Sequence, residues 1–246
     1  MKGTTYVHHL AAMVSVPESV NKPIECVEIN VIGLINILDA AVKHKIKKIV
    51  HSSSASVYGD NPLSPKNTNM MPAPISPYGI TKLDGEFYLQ AYNQSFGLGT
   101  ISLRYFNVFG PKQDPQSQYA AVIPIFIKKA IEIKPIAIFG NGKQTRDFIF
   151  VKDVVKANVL AAVSNCTKGV FNVALGRTTT INELAQNIIK ITKSNSIIVY
   201  EKGRTGDIKD SLAAIEKTVD ILNFKPKYTL SDGLEETVNS LSTISV

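Results

Sequence analysis

The sequence lacks the features that define several protein classes. Its 246 residues include only two cysteines, Cys26 and Cys166. They lie too far apart for a metal-binding spacing or a disulfide framework, so no metal is expected. There is no long hydrophobic run. The longest, residues 120–127, is interrupted by Pro124 and falls far short of a bilayer span. The opening residues carry Lys2, His8, His9 and Glu18 with no convincing cleavage site. The expectation is a chain without a signal peptide, in a reducing, cytoplasmic setting. No internal repeat or low-complexity segment is present. Charge is also short of a patch. The net +7 comes from 27 basic and 20 acidic residues, scattered apart from Lys43, Lys45, Lys47 and Lys48. A nucleic-acid reader needs a patch and a recognition element, so no nucleic acid is expected, whereas a polyanionic small molecule suits the balance. What is present is ordinary for a globular chain. Hydrophobic residues make up 44% and charged residues 19%, enough for one large domain or two small ones.

Short apolar strands alternate with helical patterns. Residues 5–10 read as a strand, and Pro17 and Pro23 punctuate a connection. Val27, Val31, Leu34, Ile35, Leu38 and Val42 recur at helical spacing over 24–42. A strand begins at Lys48 and runs into Ser52, Ser53 and Ser54, and a Pro- and Asn-rich loop covers 59–77. The pattern predicts a helix over 78–96 with Leu83, Phe87 and Ala91 on its packing face, ended by Gly97 and Gly99. A strand over 100–105 exits through Phe106 and Asn107. Further helices are predicted over 122–133, 153–163, 213–222 and 230–241, with strands over 147–151 and 170–173. Thr180 and Glu183 have capping-box spacing and open a helix through Ile191. This alternation argues an α/β protein with a mainly parallel sheet, whose ligands sit at the C-terminal strand ends. The serine run after Val50 and Asn107 after the 100–105 strand lie at such ends.

Tyr78 and Lys82 are four apart on a predicted helix and share a face. A nearby ammonium favours the phenolate, so the tyrosine is expected below its ordinary value of about 10, fit for acid–base work. Alone, the pair reads as easily as a core tyrosine beside a solvated lysine. The serine run likewise reads as a polar strand end or as hydroxyls placed to bond a substrate oxygen.

Taken together the motifs are specific. They are His9-Leu10-Ala11-Ala12, Ser52-Ser53-Ser54-Ala55-Ser56-Val57-Tyr58-Gly59, Ser76-Pro77-Tyr78-Gly79-Ile80-Thr81-Lys82 and Leu103-Arg104-Tyr105-Phe106-Asn107-Val108-Phe109-Gly110-Pro111. Tyr119–Pro124, Arg146-Asp147-Phe148 and Gly206-Asp207-Ile208 follow in order. The sequence resembles the extended short-chain dehydrogenases/reductases of the NAD-dependent sugar-nucleotide epimerase/dehydratase family. It is most like UDP-hexose 4-epimerases, especially those acting on N-acetylated UDP-sugars, to which Gln113, Asp114 and Pro115 extend the likeness.

The resemblance implies Ser54, Tyr78 and Lys82 as catalytic residues and NAD as cofactor. It implies that Leu10, Ala11, Ala12, Asn30, Ser52, Tyr78, Lys82 and Phe106 lie against NAD. Ser53, Ser54, Tyr78, Asn107, Val122, Arg146, Arg204 and Asp207 are implied for the UDP-sugar. The implied fold is a Rossmann-type parallel sheet with helices on both faces, N-terminally truncated, plus a smaller C-terminal substrate-binding domain. Residues 1–110 would be an incomplete dinucleotide-binding domain, with further elements from about 145–175, and 111–246 mainly the substrate region. The implied reaction is C4 epimerisation of a UDP-sugar through a 4-keto intermediate, by a homodimer with no membrane partner. The family's Gly-x-x-Gly-x-x-Gly turn, which cradles the dinucleotide diphosphate, is absent. The expectation is that this chain alone turns over little. Dehydratases of the family carry an Asp-Glu pair where Ala55 and Ser56 stand, and decarboxylases tend to carry a glutamate there. A non-catalytic scaffold is the third reading.

Overall fold

The structure is a computed structural model and describes residues 1–114, 121–203 and 209–242. In chain order the first half holds β1 (Tyr6–His9), α1 (Val16–Asn21), α2 (Pro23–Val27), α3 (Gly33–Lys43), β2 (Lys48–Ser54), α4 (Pro77–Phe96), β3 (Gly99–Tyr105) and β4 (Asn107–Phe109). The second holds α5 (Val122–Ile131), β5 (Ile136–Phe139), β6 (Thr145–Arg146), β7 (Phe148–Phe150), α6 (Val151–Val163), β8 (Lys168–Val173), β9 (Thr179–Thr180), α7 (Ile181–Thr192), β10 (Ile198–Glu201), α8 (Glu216–Leu222) and α9 (Leu230–Ser242). The chain divides into two compact units. The first comprises Met1–Phe106, Val155–Val173 and Ala214–Lys225; the second, smaller unit comprises Asn107–Val154, Ala174–Ala213 and Pro226–Val246.

The first unit is a parallel sheet in the order β1-β2-β3-β8. Side chains alternate between its faces. Ile49 joins Leu34 and Leu38 of α3 and Leu89 of α4 in one core cluster. Its neighbour Lys48 points to the other face, where its ammonium donates to the carbonyls of Ala161 and Ser164 at the end of α6. Helices therefore cover both faces, as the Rossmann-type expectation required, and the strands can be apolar throughout. All strands end on one side of the sheet, so His9, Ser54 and Tyr105 mark a common edge.

Among the described residues the second unit is built from paired strands and the helices α5, α7 and α9. β4 pairs with β7 and β5 with β10 in parallel, while β6 and β9 are antiparallel. Phe109, Ile123, Phe126, Phe150, Leu184, Ile188 and Leu234 form its core. The expected capping box is present: Thr180 Oγ1 accepts from Glu183 N, and Glu183 accepts from Thr180 N, 3.1 and 2.8 Å. Among the described residues no helix is long and apolar enough to cross a membrane.

Three expectations need correction. The stretch between Pro17 and Pro23 is not a simple connection but contains α1, whose first turn tolerates Pro17 and is capped by Ser15 Oγ on Glu18 N. The helix expected over 24–42 contains a π-helical turn at Glu28–Ile32. Asn30 lies in that wide turn and binds both backbone groups of Met13, a contact that local periodicity does not encode. The packing face of α4 is also different. Phe87 and Ala91 are exposed, and the buried residues are Thr81, Lys82, Gly85, Glu86 and Leu89. The helix turns a small and charged stripe to the sheet because each buried charge has a partner there.

Gly85 permits this close approach. A Cβ at that position would stand 2.7 Å from His51 Nε2 and 3.1 Å from Leu34 Cδ2. Gly85→Ala is expected to destabilise the protein by about 1–3 kcal/mol through overpacking, despite alanine's better helix propensity. A chemical denaturation midpoint equal to that of the unsubstituted protein would contradict this packing.

Candidate active site

Tyr78 enters the site through the first turn of α4. Ser76 caps the helix by accepting from Gly79 N at 3.1 Å, and Pro77 occupies the first helical position. A further bond, from Tyr78 N to Ser19 Oγ at 3.1 Å, holds that turn against α1. One turn later Lys82, 4% exposed, donates from Nζ to the Ser52 carbonyl at 2.9 Å. The same ammonium lies 5.6 Å from the Tyr78 ring centroid. The Ser54 hydroxyl lies close enough to the Tyr78 phenol to favour its ionised form, and its Oγ accepts from Ser56 N at 3.1 Å. The structure thus brings Ser54, Tyr78 and Lys82 together at the C-terminal end of β2.

The electrostatics differ from the sequence expectation in one respect. Tyr78 is raised above 10, because burial outweighs the opposing influence of the Ser54 hydroxyl, and Lys82 does not reverse it. Burial pushes Lys82 down, from 10.5 to about 8. The same desolvation that weakens the ammonium also resists the phenolate. His9 and His51 stack beside this group, 5.7 Å between centroids and 17° between planes. Burial holds His51 well below the ordinary imidazole value, and neither of its ring nitrogens has a hydrogen-bond partner among the described residues.

The other implied cofactor residues fall into two sets. Leu10 and Ala11 are exposed just beyond β1, Ala12 is half-buried, and Phe106 is buried against Tyr58 with centroids 6.2 Å apart. Asn30 is spent internally, on Met13 and on Thr81 Oγ1 at 3.0 Å, so it shapes the loop after β1. Ser52 Oγ contacts Tyr105 OH at 3.1 Å, which in turn bonds Asn158. Ser53 faces the opposite side of β2. It is 2% exposed, and its Oγ donates to Glu86 Oε1 at 2.5 Å, so the structure does not bring it beside Ser54's hydroxyl.

In the second unit Asn107, Val122 and Arg146 line a cavity of about 720 Å3, a size typical of small-molecule sites. Its walls also contain Phe139, Gln144 and Lys129, which sequence reasoning missed. Asn107 Nδ2 donates to the Asp147 carbonyl at 2.9 Å, and Arg146 donates to the Thr145 carbonyl at 2.8 Å. Asp147 holds this corner. Its buried carboxyl, pushed up to about 6 by desolvation, accepts from the amides of Leu175, Gly176 and Ala213. Arg204 and Asp207 lie outside the described residues. Sequence reasoning also missed Glu86 and Arg104; an arginine inside the strand pattern Ile101–Tyr105 was the available signal.

A parallel sheet ending in a serine, with a Tyr-x-x-x-Lys helix packed across it, is the arrangement of an oxidoreductase-type nucleotide enzyme of the short-chain class. The comparisons agree. The sequence model described as the NAD dependent epimerase/dehydratase family matches residues 1–174. A UDP-glucose 4-epimerase of Mycolicibacterium smegmatis is 35% identical over 233 residues, covering 94% of this chain and 74% of that protein. A UDP-N-acetylglucosamine 4-epimerase of Methanobrevibacter ruminantium, solved with UDP-N-acetylmuramic acid, is 43% identical with a TM-score of 0.96, over 99% of this chain and 78% of that one. A Thermotoga maritima UDP-glucose 4-epimerase solved with UDP-glucose is 38% identical with a TM-score of 0.94, over 98% and 78%. The chain belongs to the NAD-dependent epimerase/dehydratase family.

The residues present fit the nicotinamide-ribose end of NAD. A buried ammonium has three donors, and Lys82 uses one on Ser52, leaving two for ribose hydroxyls. A glycine-rich turn for the diphosphate is not part of this sequence.

The depressed value of Lys82 gives a direct check. Because the folded chain sheds this proton before the unfolded chain does, the cost of the buried ammonium is full below pH 8. It is relieved as pH rises from about 8 toward 10.5. An NMR titration of the lysine 13Cε resonances should show one lysine, absent in Lys82→Met, with a midpoint near 8. A midpoint near 10.5 for that lysine would show a solvated side chain instead.

Proposed function

We propose that the protein interconverts the C4 epimers of a UDP-sugar, UDP-glucose/UDP-galactose or the corresponding N-acetylhexosamine pair. The observation that carries this reading is the joining of Ser54, Tyr78 and Lys82 at one strand end. In this reading Tyr78 takes the proton of the C4 hydroxyl and later returns it to the oxygen of the 4-keto sugar. Ser54 hydrogen-bonds that same oxygen and keeps it in line with the phenol. NAD, when bound, supplies the hydride acceptor and donor at C4 and a positive charge that favours the Tyr78 phenolate. Lys82 holds the nicotinamide ribose, with the Leu10–Ala12 loop, Ser52 and Phe106 alongside. Because hydride and proton both return, no external oxidant is consumed.

Residues 1–110, with elements from about 145–175, serve NAD in this reading, and 111–246 mainly the UDP-sugar. Asn107, Val122 and Arg146 hold the nucleotide, the arginine by a fork suited to phosphoryl oxygens. Arg204 and Asp207 are assigned there by resemblance. The working form is a cytoplasmic homodimer that engages neither nucleic acid nor membrane.

Dehydration or decarboxylation fits less well. Ala55 and Ser56 offer no carboxylate for proton removal at C5, and Ser56 Oγ is buried. A scaffold would have no use for a desolvated ammonium, which costs stability at neutral pH.

Tyr78→Phe, assayed at saturating NAD with each UDP-sugar pair, should lower turnover by about 10²–10⁴-fold. Its affinity for UDP-sugar, measured by calorimetry, should be unchanged. Equal turnover by the variant and the unsubstituted protein would remove Tyr78 from the reaction.

A further inference from the structure

A buried polar row crosses the sheet one residue away from the reacting group. Ser53, Arg104 and Asn172 are register partners on β2, β3 and β8, and all three are less than 4% exposed. Glu86 of α4 lies across them. Its Oε1 accepts from Ser53 Oγ at 2.5 Å and Arg104 Nε at 2.9 Å, and its Oε2 from Arg104 Nη2 at 2.7 Å. The guanidinium also lies over the Tyr58 ring, 4.7 Å from the centroid, and Tyr58 OH donates to Asn172 Oδ1 at 2.6 Å. Asn172 in turn donates to the carbonyls of Lys66 and Ala214.

We propose that Glu86 and Arg104 are positioning residues for proton transfer, locking α4 to the ends of β2 and β3 so that Tyr78 is held against Ser54. The inference rests on the reading of Tyr78 and Ser54 as the reacting pair. Tyr78, Lys82 and Glu86 follow one another at one-turn intervals on α4. Each meets a consecutive residue of β2: Tyr78 meets Ser54, Lys82 meets the Ser52 carbonyl, and Glu86 meets Ser53 between them. One helix is thereby fixed to one strand end at three successive points. Two of these points involve the reacting residues, and the third, at Glu86, is a bidentate ion pair anchored to the next strand.

Stability does not account for this ion pair. Two desolvated charges hold a helix on a sheet no better than well-packed apolar residues of the same volume. What the pair adds is direction. The planar fork accepts the carboxylate in one orientation, so neither rotation of α4 nor a slide along β2 is tolerated. Tyr58 and Asn172 extend the restraint to β8, so Arg104 cannot follow a displaced helix.

The test is the double variant E86M/R104M, in which apolar side chains replace both charges. It should fold and melt at a temperature no lower than the unsubstituted protein. A helix no longer held in one orientation admits water to the Lys82 ammonium, so its midpoint should move up from about 8 toward 10.5, read by 13Cε NMR. Turnover should fall about 100-fold, as for a misplacement near 1 Å, with KM for UDP-sugar unchanged. The milder Glu86→Asp, which keeps both charges, guards against a folding failure and should move both quantities the same way by less. A folded double variant, or Glu86→Asp, with the Lys82 midpoint and kcat of the unsubstituted protein would overturn the proposal. Turnover of the unsubstituted protein tests the epimerase reading separately, and the NMR titration tests the positioning role without it.

Discussion

The hydrogen bond from the Lys82 ammonium to the Ser52 carbonyl is the constraint on which the site depends. It joins the helix that delivers Tyr78 to the strand that delivers Ser54, and it does so with a charge taken out of water. Such a charge is tolerated only where the helix can come close and where its donors have acceptors. Gly85 provides the closeness, because any side chain there would strike His51. The Ser76 cap provides the register, because it starts α4 one residue pair ahead of Tyr78. Burial lowers Lys82 to about 8, which leaves it charged at neutral pH, and burial also raises Tyr78, so the phenol keeps its proton until an additional positive charge enters the site.

The second unit uses the same logic with weaker means. Arg146 precedes a buried run, Phe148–Phe150, and is followed directly by Asp147, whose carboxyl is itself buried. Asp147 is satisfied by three backbone amides instead of by a cation, so it orders the corner without neutralising the arginine's neighbourhood. The cavity it borders combines apolar walls from α5 and β5 with a few polar groups: Asn107, Lys129, Gln144 and Arg146. That mixture suits an uncharged ring joined to phosphates.

Much of the fold was legible in the sequence because strand and helix periods are local. β2, β3, α5, α7 and α9 begin and end within a few residues of where their patterns place them. Local motifs also singled out Ser54, Tyr78 and Lys82, which the fold places together at the end of β2. What was not legible depends on distant partners. The apolar pattern of α4 pointed to Phe87, yet the buried face carries Lys82 and Glu86, whose acceptors and donors lie on β2 and β3. Asn30 likewise acts through Met13, 17 residues away, inside a π turn that no spacing rule anticipates. Ser53 looked equivalent to its neighbours, and only strand alternation sends it to Glu86.

In the proposed reaction hydride leaves and returns to one carbon while Tyr78 carries only the proton. Its most direct test is to supply the protein and NAD with UDP-sugar deuterated at C4, in ordinary water, and to follow the label in the epimer. Retention of deuterium at C4 is the predicted result. Washout of the label to solvent, or its loss from C4 during epimer formation, would contradict the account.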